Sequence, residues 1–286
     1  MDTRNLDGRL GVVTGAASGI GRATALALAR RGADLALCDL DAAGLDAVAK
    51  QAEGLGRRVL SRRADVSSAE DMQAFADAVH SEFAAADIVV NNAGIAVAGT
   101  FLDLELEDFD RVVAVNLRGV VLGCRVFLPA MVARRSGHVV NIASMAGYTP
   151  GPGMTPYTAT KFAVVGFSEA LRMELAPLGV GITAVCPGII NTPIVRNSPV
   201  RGVLASAREE TAALFERRNY PPERVADAIL KAVARNRALA PVSPEARAAW
   251  WLRRLAPGLL HRLAARGFRN HIAPSTGNGK ASGGGS

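Results

Sequence analysis

Tyr157 and Lys161 stand four residues apart, and Ser144 precedes Tyr157 by thirteen positions. On a helix, a spacing of four places a phenol and an ammonium group on one face. A nearby positive charge favours the phenolate, so it moves the tyrosine pKa from about 10 toward neutral pH. Such a tyrosine can exchange a proton with an alcohol or a ketone. The alternative interpretation is a surface tyrosine and lysine on an amphipathic helix.

The composition is that of an ordinary globular protein: 286 residues, 49% hydrophobic and 21% charged. This length suits one large α/β domain or two small ones. The three cysteines lie far apart without the spacing of zinc ligands, so we expect neither disulfides nor a metal site. The N-terminus is polar and no apolar run approaches about 20 residues, so we expect no signal peptide, no transmembrane helix and a cytoplasmic location.

Short apolar runs alternate with longer helical patterns along the chain. The runs are β-branched or apolar and bounded by turn residues, which predicts strands over 11–14, 34–39, 59–64, 88–91, 138–144, 181–186 and 239–242. The periodicity between them predicts helices over 19–31, 42–53, 68–83, 106–134, 157–176 and 223–235. This alternation predicts an α/β fold whose parallel sheet is covered by helices on both faces.

A glycine-rich turn follows the first predicted strand, in the run from Thr14 to Gly21. Glycines let the backbone turn tightly and approach a ligand closely. The next helix offers unpaired N–H groups and a positive dipole end to a pyrophosphate. The pattern therefore predicts a dinucleotide site, and the alternative is a purely structural turn between strand and helix.

The second predicted strand ends in an acid, Asp39, which lies 24 residues after Gly15. A carboxylate at this place can accept hydrogen bonds from both ribose hydroxyls of adenosine, and it repels a 2′-phosphate. Positions 18 and 40 carry no Lys or Arg that could bind such a phosphate. We therefore expect NAD rather than NADP; the alternative is that Asp39 only caps the following helix.

These residues resemble the short-chain dehydrogenase/reductase family. The resemblance rests on the glycine turn, Asp65-Val66, Asn91-Asn92-Ala93-Gly94, the ordered set Asn116, Ser144, Tyr157 and Lys161, and Pro187-Gly188 with Thr192. It covers about residues 6–242 and implies one domain with a Rossmann-like, doubly wound, seven-stranded parallel sheet in the order 3-2-1-4-5-6-7. Gly11 departs from the pattern, because a bulky strand residue is expected there.

The resemblance implies hydride transfer between a nicotinamide and a carbinol or carbonyl carbon. Tyr157 would exchange the proton, and Lys161 would lower the tyrosine pKa and bind the nicotinamide ribose. Ser144 would donate to the substrate oxygen, although a turn or capping serine is its alternative, and Asn116 would hold a water that links Lys161 to solvent. The expected cofactor contacts are Gly15, Ser18, Gly19, Ile20, Gly21, Asp39, Asp65, Val66, Asn92, Ala93, Gly94, Tyr157, Lys161, Pro187, Gly188, Ile190 and Thr192.

The expected substrate contacts, besides Ser144 and Tyr157, are Ile95, Ala146, Met154 and Ile194. Further apolar candidates for the pocket are Val97, Met145, Ile189, Val195, Val203 and Leu204. Arg196 and Arg201 are candidates for binding an anionic group. The apolar set favours a bulky, lipophilic alcohol or ketone of steroid, terpenoid or lipid type; the alternative is that these residues are core and the substrate is small.

The composition predicts a catalytic domain over 1–243 with an insertion at about 190–219, a basic amphipathic extension over 244–272, and a disordered tail or linker over 273–286. The net charge is +7, and +5 of it lies between Pro244 and His271. The rest is nearly balanced, which argues against nucleic-acid binding by the domain. The pattern over 246–268 fits packing on the domain or a subunit, a peripheral membrane anchor, or a lid. It resembles extensions on actinobacterial members of the family.

Two functions compete at this point. The first is an NAD-dependent oxidoreductase, expected from the resemblance to be a homodimer or homotetramer. The second is a non-catalytic NAD-binding protein that acts through its basic C-terminal helix. The intact set of Asn116, Ser144, Tyr157 and Lys161 favours the first.

Overall fold

A computed structural model describes residues 1–259 and Arg262. The predicted tail over 273–286, and the predicted helical pattern beyond Leu259, lie outside the described residues. Seven parallel strands form one sheet in the order β3-β2-β1-β4-β5-β6-β7, which confirms the predicted topology. They are β1 Leu10–Thr14, β2 Asp34–Asp39, β3 Val59–Arg63, β4 Ile88–Asn91, β5 Gly137–Ile142, β6 Val180–Pro187 and β7 Leu239–Val242.

Ten α-helices lie within the described residues: α1 Gly19–Ala29, α2 Ala42–Glu53, α3 Ala69–Glu82, α4 Leu106–Val113, α5 Gly119–Ala133, α6 Thr155–Leu175, α7 Pro193–Asn197, α8 Arg208–Arg218, α9 Pro222–Ala234 and α10 Pro244–Leu255. Short 3-10 helices occur at Phe101–Asp103, Met145–Gly147, Ala176–Leu178 and Gly202–Ala207. The insertion after β6 therefore contains α7, one 3-10 helix and α8.

Two hydrophobic clusters cover the two faces of the sheet. Because side chains alternate along a strand, Val13 of β1 lies in one cluster and its neighbour Val12 lies in the other. The first cluster contains Leu28 of α1 and Ile229 of α9, and the second contains Phe127 of α5. Both faces are thus buried, as expected for a doubly wound parallel sheet.

Gly11 in β1 has a packing reason. A Cβ at this position would lie 2.9 Å from Cδ1 of Leu28, a fully buried residue of α1. The missing side chain therefore lets α1 approach the sheet closely, and the departure from the family pattern leaves the fold unchanged.

The helix predicted over 106–134 contains an irregularity. Residues Ala114–Arg118 form a π-helical segment between α4 and α5, so one turn is wider than an α-helical turn. Such segments are rare and occur frequently at functional sites. Asn116 lies at the centre of this segment and is fully buried.

Helices α4 and α5, with the π segment, run as one 28-residue helix from Leu106 to Ala133. By length and composition alone, with a mean hydropathy of 1.6, it is apolar enough to cross a membrane. Its side chains at Val120, Phe127 and Met131 are nevertheless buried in the second cluster. Packing in the domain therefore accounts for part of its apolar character, since 39% of its apolar window is buried.

Candidate active site

Tyr157 and Lys161 lie one turn apart near the start of α6, where both line the same cavity. The Lys161 Nζ is 5.5 Å from the centre of the Tyr157 ring. The same Nζ donates a hydrogen bond of 2.8 Å to the carbonyl oxygen of Ile142, the last residue of β5. Lys161 is 3% exposed, so its ammonium group is buried in the site rather than free at the surface. The surface alternative for this pair is therefore wrong.

Ser144 follows β5 and begins the short 3-10 helix at Met145–Gly147. Its Oγ accepts a hydrogen bond of 3.1 Å from the amide of Ala146, so it caps this turn. The hydroxyl also lies close enough to the phenol of Tyr157 to lower the tyrosine pKa. Ser144 is thus both a capping residue and a neighbour of the phenol.

The pKa of Tyr157 corrects one expectation from the sequence. Burial raises the pKa of the phenol above its ordinary value, and the nearby Ser144 hydroxyl offsets only part of this rise. Burial also lowers the pKa of Lys161 to about 8. Burial in the same apolar site disfavours the charged form of both groups. Within the protein alone, Lys161 therefore does not lower the pKa of Tyr157 toward neutral pH.

The side chain of Asn116 connects the π segment to two other parts of the site. Its Oδ1 accepts from the amide of Ile95 at 2.8 Å, and its Nδ2 donates to the carbonyl oxygen of Ile95 at 2.9 Å. Nδ2 also donates at 3.3 Å to Oγ1 of Thr160, which itself donates to the carbonyl oxygen of Tyr157. The amide therefore holds the loop after β4 against α6, and the proposed water relay stays a prediction.

The loop after β4 packs against the glycine turn and forms hydrogen bonds with it. Gly15 has a φ of +64°, and a Cβ there would lie 2.7 Å from Cα of Ala93. The Asn92 Nδ2 donates to the carbonyl oxygens of Thr14 at 3.0 Å and Gly15 at 2.9 Å. A Cβ on Gly21 would overlap the Gly15 carbonyl oxygen, so Gly21 supports the turn instead of lining the cavity.

Asp39 lies at the end of β2 and lines the cavity. Its Oδ2 accepts from the amide of Ala17 at 2.9 Å, within the glycine turn, and its Oδ1 accepts from the amide of Asp41 at 3.0 Å. The cap of α2 is Asp41, whose side chain accepts from the Gly44 amide. The alternative that Asp39 only caps this helix is therefore wrong.

One cavity of about 670 Å³ joins the glycine turn to Ser144, Tyr157 and Lys161. All the expected cofactor contacts except Gly21 line it, and so do the expected substrate contacts Ile95, Ser144, Ala146, Met154, Tyr157 and Ile194. Gly19 faces Thr192 across it, where a Cβ would meet the threonine side chain at 3.2 Å. A glycine cradle at one end and a buried phenol and ammonium group at the other fit a nicotinamide dinucleotide.

Some apolar candidates for the pocket do not line it. Val97 is buried in the fold, Val203 is exposed, and Leu204 also lies outside the cavity. Sequence reasoning missed the lining residues Leu40 and Ala64, which lie in the loops after β2 and β3, and Thr158 on α6. Loop residues carry no periodicity, so no sequence signal distinguishes those that face a cavity.

The charged side chains that line the cavity, within the part of the chain that the structure describes, are Asp39, Asp65 and Lys161. Arg201 forms two hydrogen bonds of 3.0 and 3.1 Å with Asp108 on α4. Arg196 forms an ion pair with Glu216. Neither arginine lines the cavity, so their suggested role as anchors for an anionic substrate has no support in this arrangement.

Helix α10 packs on the domain beside the cavity. The hydroxyl of Tyr148 donates to the carbonyl oxygen of Ala246 at 2.7 Å, and its ring meets Trp250 edge to face at 5.1 Å. Of the three interpretations of the extension, packing on the domain holds for α10. Residues 244–255 contribute nothing to the cavity lining, so α10 is not a lid over it.

The sequence model of the family described as short chain dehydrogenase matches residues 10–200. The chain therefore belongs to the short-chain dehydrogenase family. Over 259 residues it is 44% identical to "Probable oxidoreductase EphD" of Mycobacterium tuberculosis, a match that covers 88% of this chain and 44% of EphD. The chain thus spans less than half the length of that relative. It is 42% identical over 267 residues to "Putative oxidoreductase SadH" of Mycobacterium tuberculosis, covering 92% of this chain and 96% of SadH.

Solved structures agree with the family assignment. A short-chain dehydrogenase/reductase from Burkholderia phymatum in complex with NAD superposes with a TM-score of 0.82 at 32% identity, covering 89% of this chain and 96% of that one. Levodione reductase gives a TM-score of 0.77 at 30% identity, covering 85% and 100%. The chain therefore shares the fold of solved short-chain dehydrogenases, one of which is a complex with NAD.

Proposed function

We propose that the protein is an NAD-dependent oxidoreductase that interconverts a secondary alcohol and a ketone on a bulky, lipophilic and uncharged substrate. The observation that carries this proposal is the meeting of Tyr157, Ser144 and Lys161 in a cavity whose remaining wall is mostly apolar. A buried phenol and ammonium group suit proton transfer to a carbinol oxygen, and the apolar wall suits a hydrocarbon skeleton.

In the proposed mechanism, a bound nicotinamide supplies the hydride donor or acceptor. For ketone reduction, the phenol of Tyr157 donates its proton to the forming alkoxide. The Ser144 hydroxyl donates a hydrogen bond to the same oxygen and stabilises its developing charge. The ammonium group of Lys161, buried beside the ring, stabilises the phenolate that remains. Alcohol oxidation uses the same groups in the opposite direction.

Asp39 supports the preference for NAD over NADP. Its carboxylate lies at the cavity wall, where a 2′-phosphate would meet a negative charge, and the described lining contains no arginine to compensate. Titration with NADH and NADPH tests this: we expect NADH to bind on the order of tenfold tighter or better. Asp39→Asn should reduce the difference, whereas Asp41→Asn, two residues away, should leave it unchanged. Equal affinities for both cofactors in the wild type would overturn the preference.

The lining of the substrate region supports the proposed substrate class. Met154, Ile189, Ile194, Val195 and Phe215 provide apolar surface. A screen with NAD⁺ should therefore show a higher kcat/KM for steroid or terpenoid alcohols than for small diols, because each buried methylene contributes about 0.8 kcal/mol. Hydroxyacyl substrates with an anionic carrier group should be poor. A preference for small or anionic alcohols would refute this class.

The outer face of α10 supports a peripheral contact with an anionic lipid surface. Trp251 and Leu255 are 60% and 78% exposed, and the exposed Arg247 and Arg254 lie on the same side of the helix. Tryptophan and leucine beside arginine are typical of helices that lie in a membrane interface. Sedimentation with phosphatidylcholine vesicles, with and without phosphatidylserine, tests the contact.

Trp251→Ser with Leu255→Ser should abolish any binding to anionic vesicles, while Ala248→Ser on the same exposed side should not change it. Equal sedimentation of the wild type and the double variant would refute the contact. A homodimer or homotetramer, testable by light scattering, and a cytoplasmic location stay predictions.

The second function, a non-catalytic NAD-binding protein, makes a different prediction for the same screen. It predicts NADH binding without turnover of any alcohol or ketone. Turnover that disappears in Tyr157→Phe would exclude it.

A further inference from the structure

Glu245 lies where three parts of the site meet. It stands in the first turn of α10, next to the loop that follows β6 and near the end of α8. Its Oε1 accepts a hydrogen bond of 3.1 Å from the amide of Ile189, and its Oε2 accepts one of 2.8 Å from Nη2 of Arg218. One carboxylate therefore binds the loop after β6 and the last residue of α8, near the end of the insertion, at the same time.

The loop that Glu245 holds is part of the cavity wall. Pro187, Gly188, Ile189 and Ile190 all line the cavity. The amide of Gly188 donates to the carbonyl oxygen of Val242 at 3.2 Å. A Cβ on Gly188 would overlap Oγ of Ser243 and lie 2.7 Å from Oε1 of Glu245. This loop therefore rests directly on the residues that begin α10.

The two ends of the insertion lie close together next to Glu245. Arg218 lies over the ring of Tyr220, with 5.3 Å between Cζ and the ring centre. The carbonyl oxygen of Tyr220 accepts a hydrogen bond of 3.1 Å from the amide of Asn191. The beginning and the end of the insertion are thus joined, and the ion pair of Arg218 with Glu245 fixes this junction to α10.

The environment of Glu245 favours its charged form. Burial acts to raise its pKa, but hydrogen bonds from Arg218, Ser243 and the backbone amides outweigh burial and hold the pKa below its ordinary value. The carboxylate is only partly exposed, at 27%, so solvent does not replace these partners freely. A charged acceptor makes stronger hydrogen bonds than a neutral one.

We propose that Glu245 is a positioning residue of the active site, which holds the loop Pro187–Ile190 and the insertion in the geometry that binds the nicotinamide cofactor. The C-terminal extension thereby becomes a required part of the cofactor site, although it does not line the cavity. Two measurements test this inference, hydrogen–deuterium exchange and cofactor affinity. Only the affinity measurement rests on the proposed function, because the exchange measurement needs no cofactor.

The first measurement is hydrogen–deuterium exchange of the peptide that contains Ile189, in the free protein. Glu245→Ala removes the acceptor of the Ile189 amide, so we expect exchange on the order of tenfold faster. Glu245→Gln keeps a side-chain oxygen at this position and should restore most of the protection. Glu223→Ala is the matched control, because Glu223 also follows a proline at the start of a helix and is exposed.

The second measurement is the Kd for NADH and NADPH of the same proteins. We expect Glu245→Ala to weaken binding of the preferred cofactor on the order of tenfold and Glu245→Gln to weaken it less than about threefold, because the Ile189 bond survives. Glu223→Ala should bind as the wild type does. If Glu245→Ala does not fold, Arg218→Ala, which removes the ion pair and the contact with the Tyr220 ring but keeps the Ile189 bond, should weaken binding to a similar extent as Glu245→Gln.

Unchanged exchange at Ile189 and unchanged affinity in Glu245→Ala would overturn the inference and leave the proposed function intact. A wild type that binds neither cofactor would overturn the proposed function, and with it the role in cofactor binding. Equal losses in Glu245→Ala and Glu245→Gln would also contradict the inference, because the amide should retain the bond to Ile189.

Discussion

Gly21→Ala tests the glycine turn with one methyl group. The added Cβ would overlap the carbonyl oxygen of Gly15 and lie 2.5 Å from Nδ2 of Asn92. The first neighbour is backbone, so it has no rotamer with which to move away, and the turn itself must shift by roughly 1 Å. Overpacking of this kind costs about 1–3 kcal/mol of stability. A shift of about 1 Å at a positioning element costs on the order of 100-fold in activity.

Gly166→Ala is the matched control, because Gly166 also lies in a helix, α6, and its added Cβ would meet no atom within 4 Å. Alanine is favoured over glycine by about 0.5–1 kcal/mol in a helix, so this variant should be slightly more stable than the wild type. NADH titration and thermal unfolding would separate the two effects. Turnover in Gly21→Ala within about twofold of the wild type would refute the assignment of this turn to the cofactor site, because the predicted loss of activity is on the order of 100-fold.

Three other predictions concern the chemistry and the insertion. Tyr157→Phe should reduce turnover on the order of 1000-fold or more while the Kd for NADH stays within a few-fold, since only the proton donor is lost; substantial residual turnover would contradict the mechanism. The rate of ketone reduction by the wild type should be constant near neutral pH and should fall as the pH rises through about 8, where Lys161 loses its proton. Lys161→Met should reduce the ketone slowly, and its rate should not show this fall. Arg201→Ala leaves the buried Asp108 carboxylate without its bidentate partner. It should therefore lower the free energy of unfolding by about 1–2 kcal/mol, measured by thermal unfolding. It should also raise the KM for alcohol more than the KM for NAD⁺.

The strand order and the meeting of the catalytic set could be predicted because both follow from local signals. The bounds of β2, β4 and β7 agree with the predicted ones, since each run is mostly apolar and ends at a turn residue or directly before one. Parallel strands present their carboxyl ends at one edge, and Ser144 and the glycine turn both follow such ends. Ordered motifs therefore fixed which side chains share one cavity.

Other features of the site depend on contacts between segments that are distant in sequence. The side-chain amide of Asn116 forms hydrogen bonds with the backbone of Ile95. The sequence pattern of a continuous helix does not reveal this partner. The sequence suggests Arg201 and Arg196 as anion-binding residues, but in the structure they pair with Asp108 and Glu216. The raised pKa of Tyr157 follows from burial, which the spacing to Lys161 does not reveal.

The pKa of Tyr157 also bears on the direction of the reaction. A phenol whose pKa is raised by burial stays protonated at neutral pH, so the protein alone presents a proton donor, as ketone reduction requires. Alcohol oxidation requires the phenolate, whose charge Lys161 and a positive nicotinamide ring would stabilise. The oxidative direction therefore depends more strongly on the charge state of Lys161 than the reductive direction does.

Helix α10 has two faces with different expected roles, and this determines how its function should be tested. The inner face carries Glu245, Ala246 and Trp250 and holds the loops of the cavity. The outer face carries the exposed Trp251 and Leu255. Deletion of the whole helix would remove both, so a loss of activity after deletion would not distinguish a membrane contact from damage to the cofactor site. Substitutions confined to one face distinguish them, because Trp251 and Leu255 are exposed whereas Glu245 bonds to the Pro187–Ile190 loop.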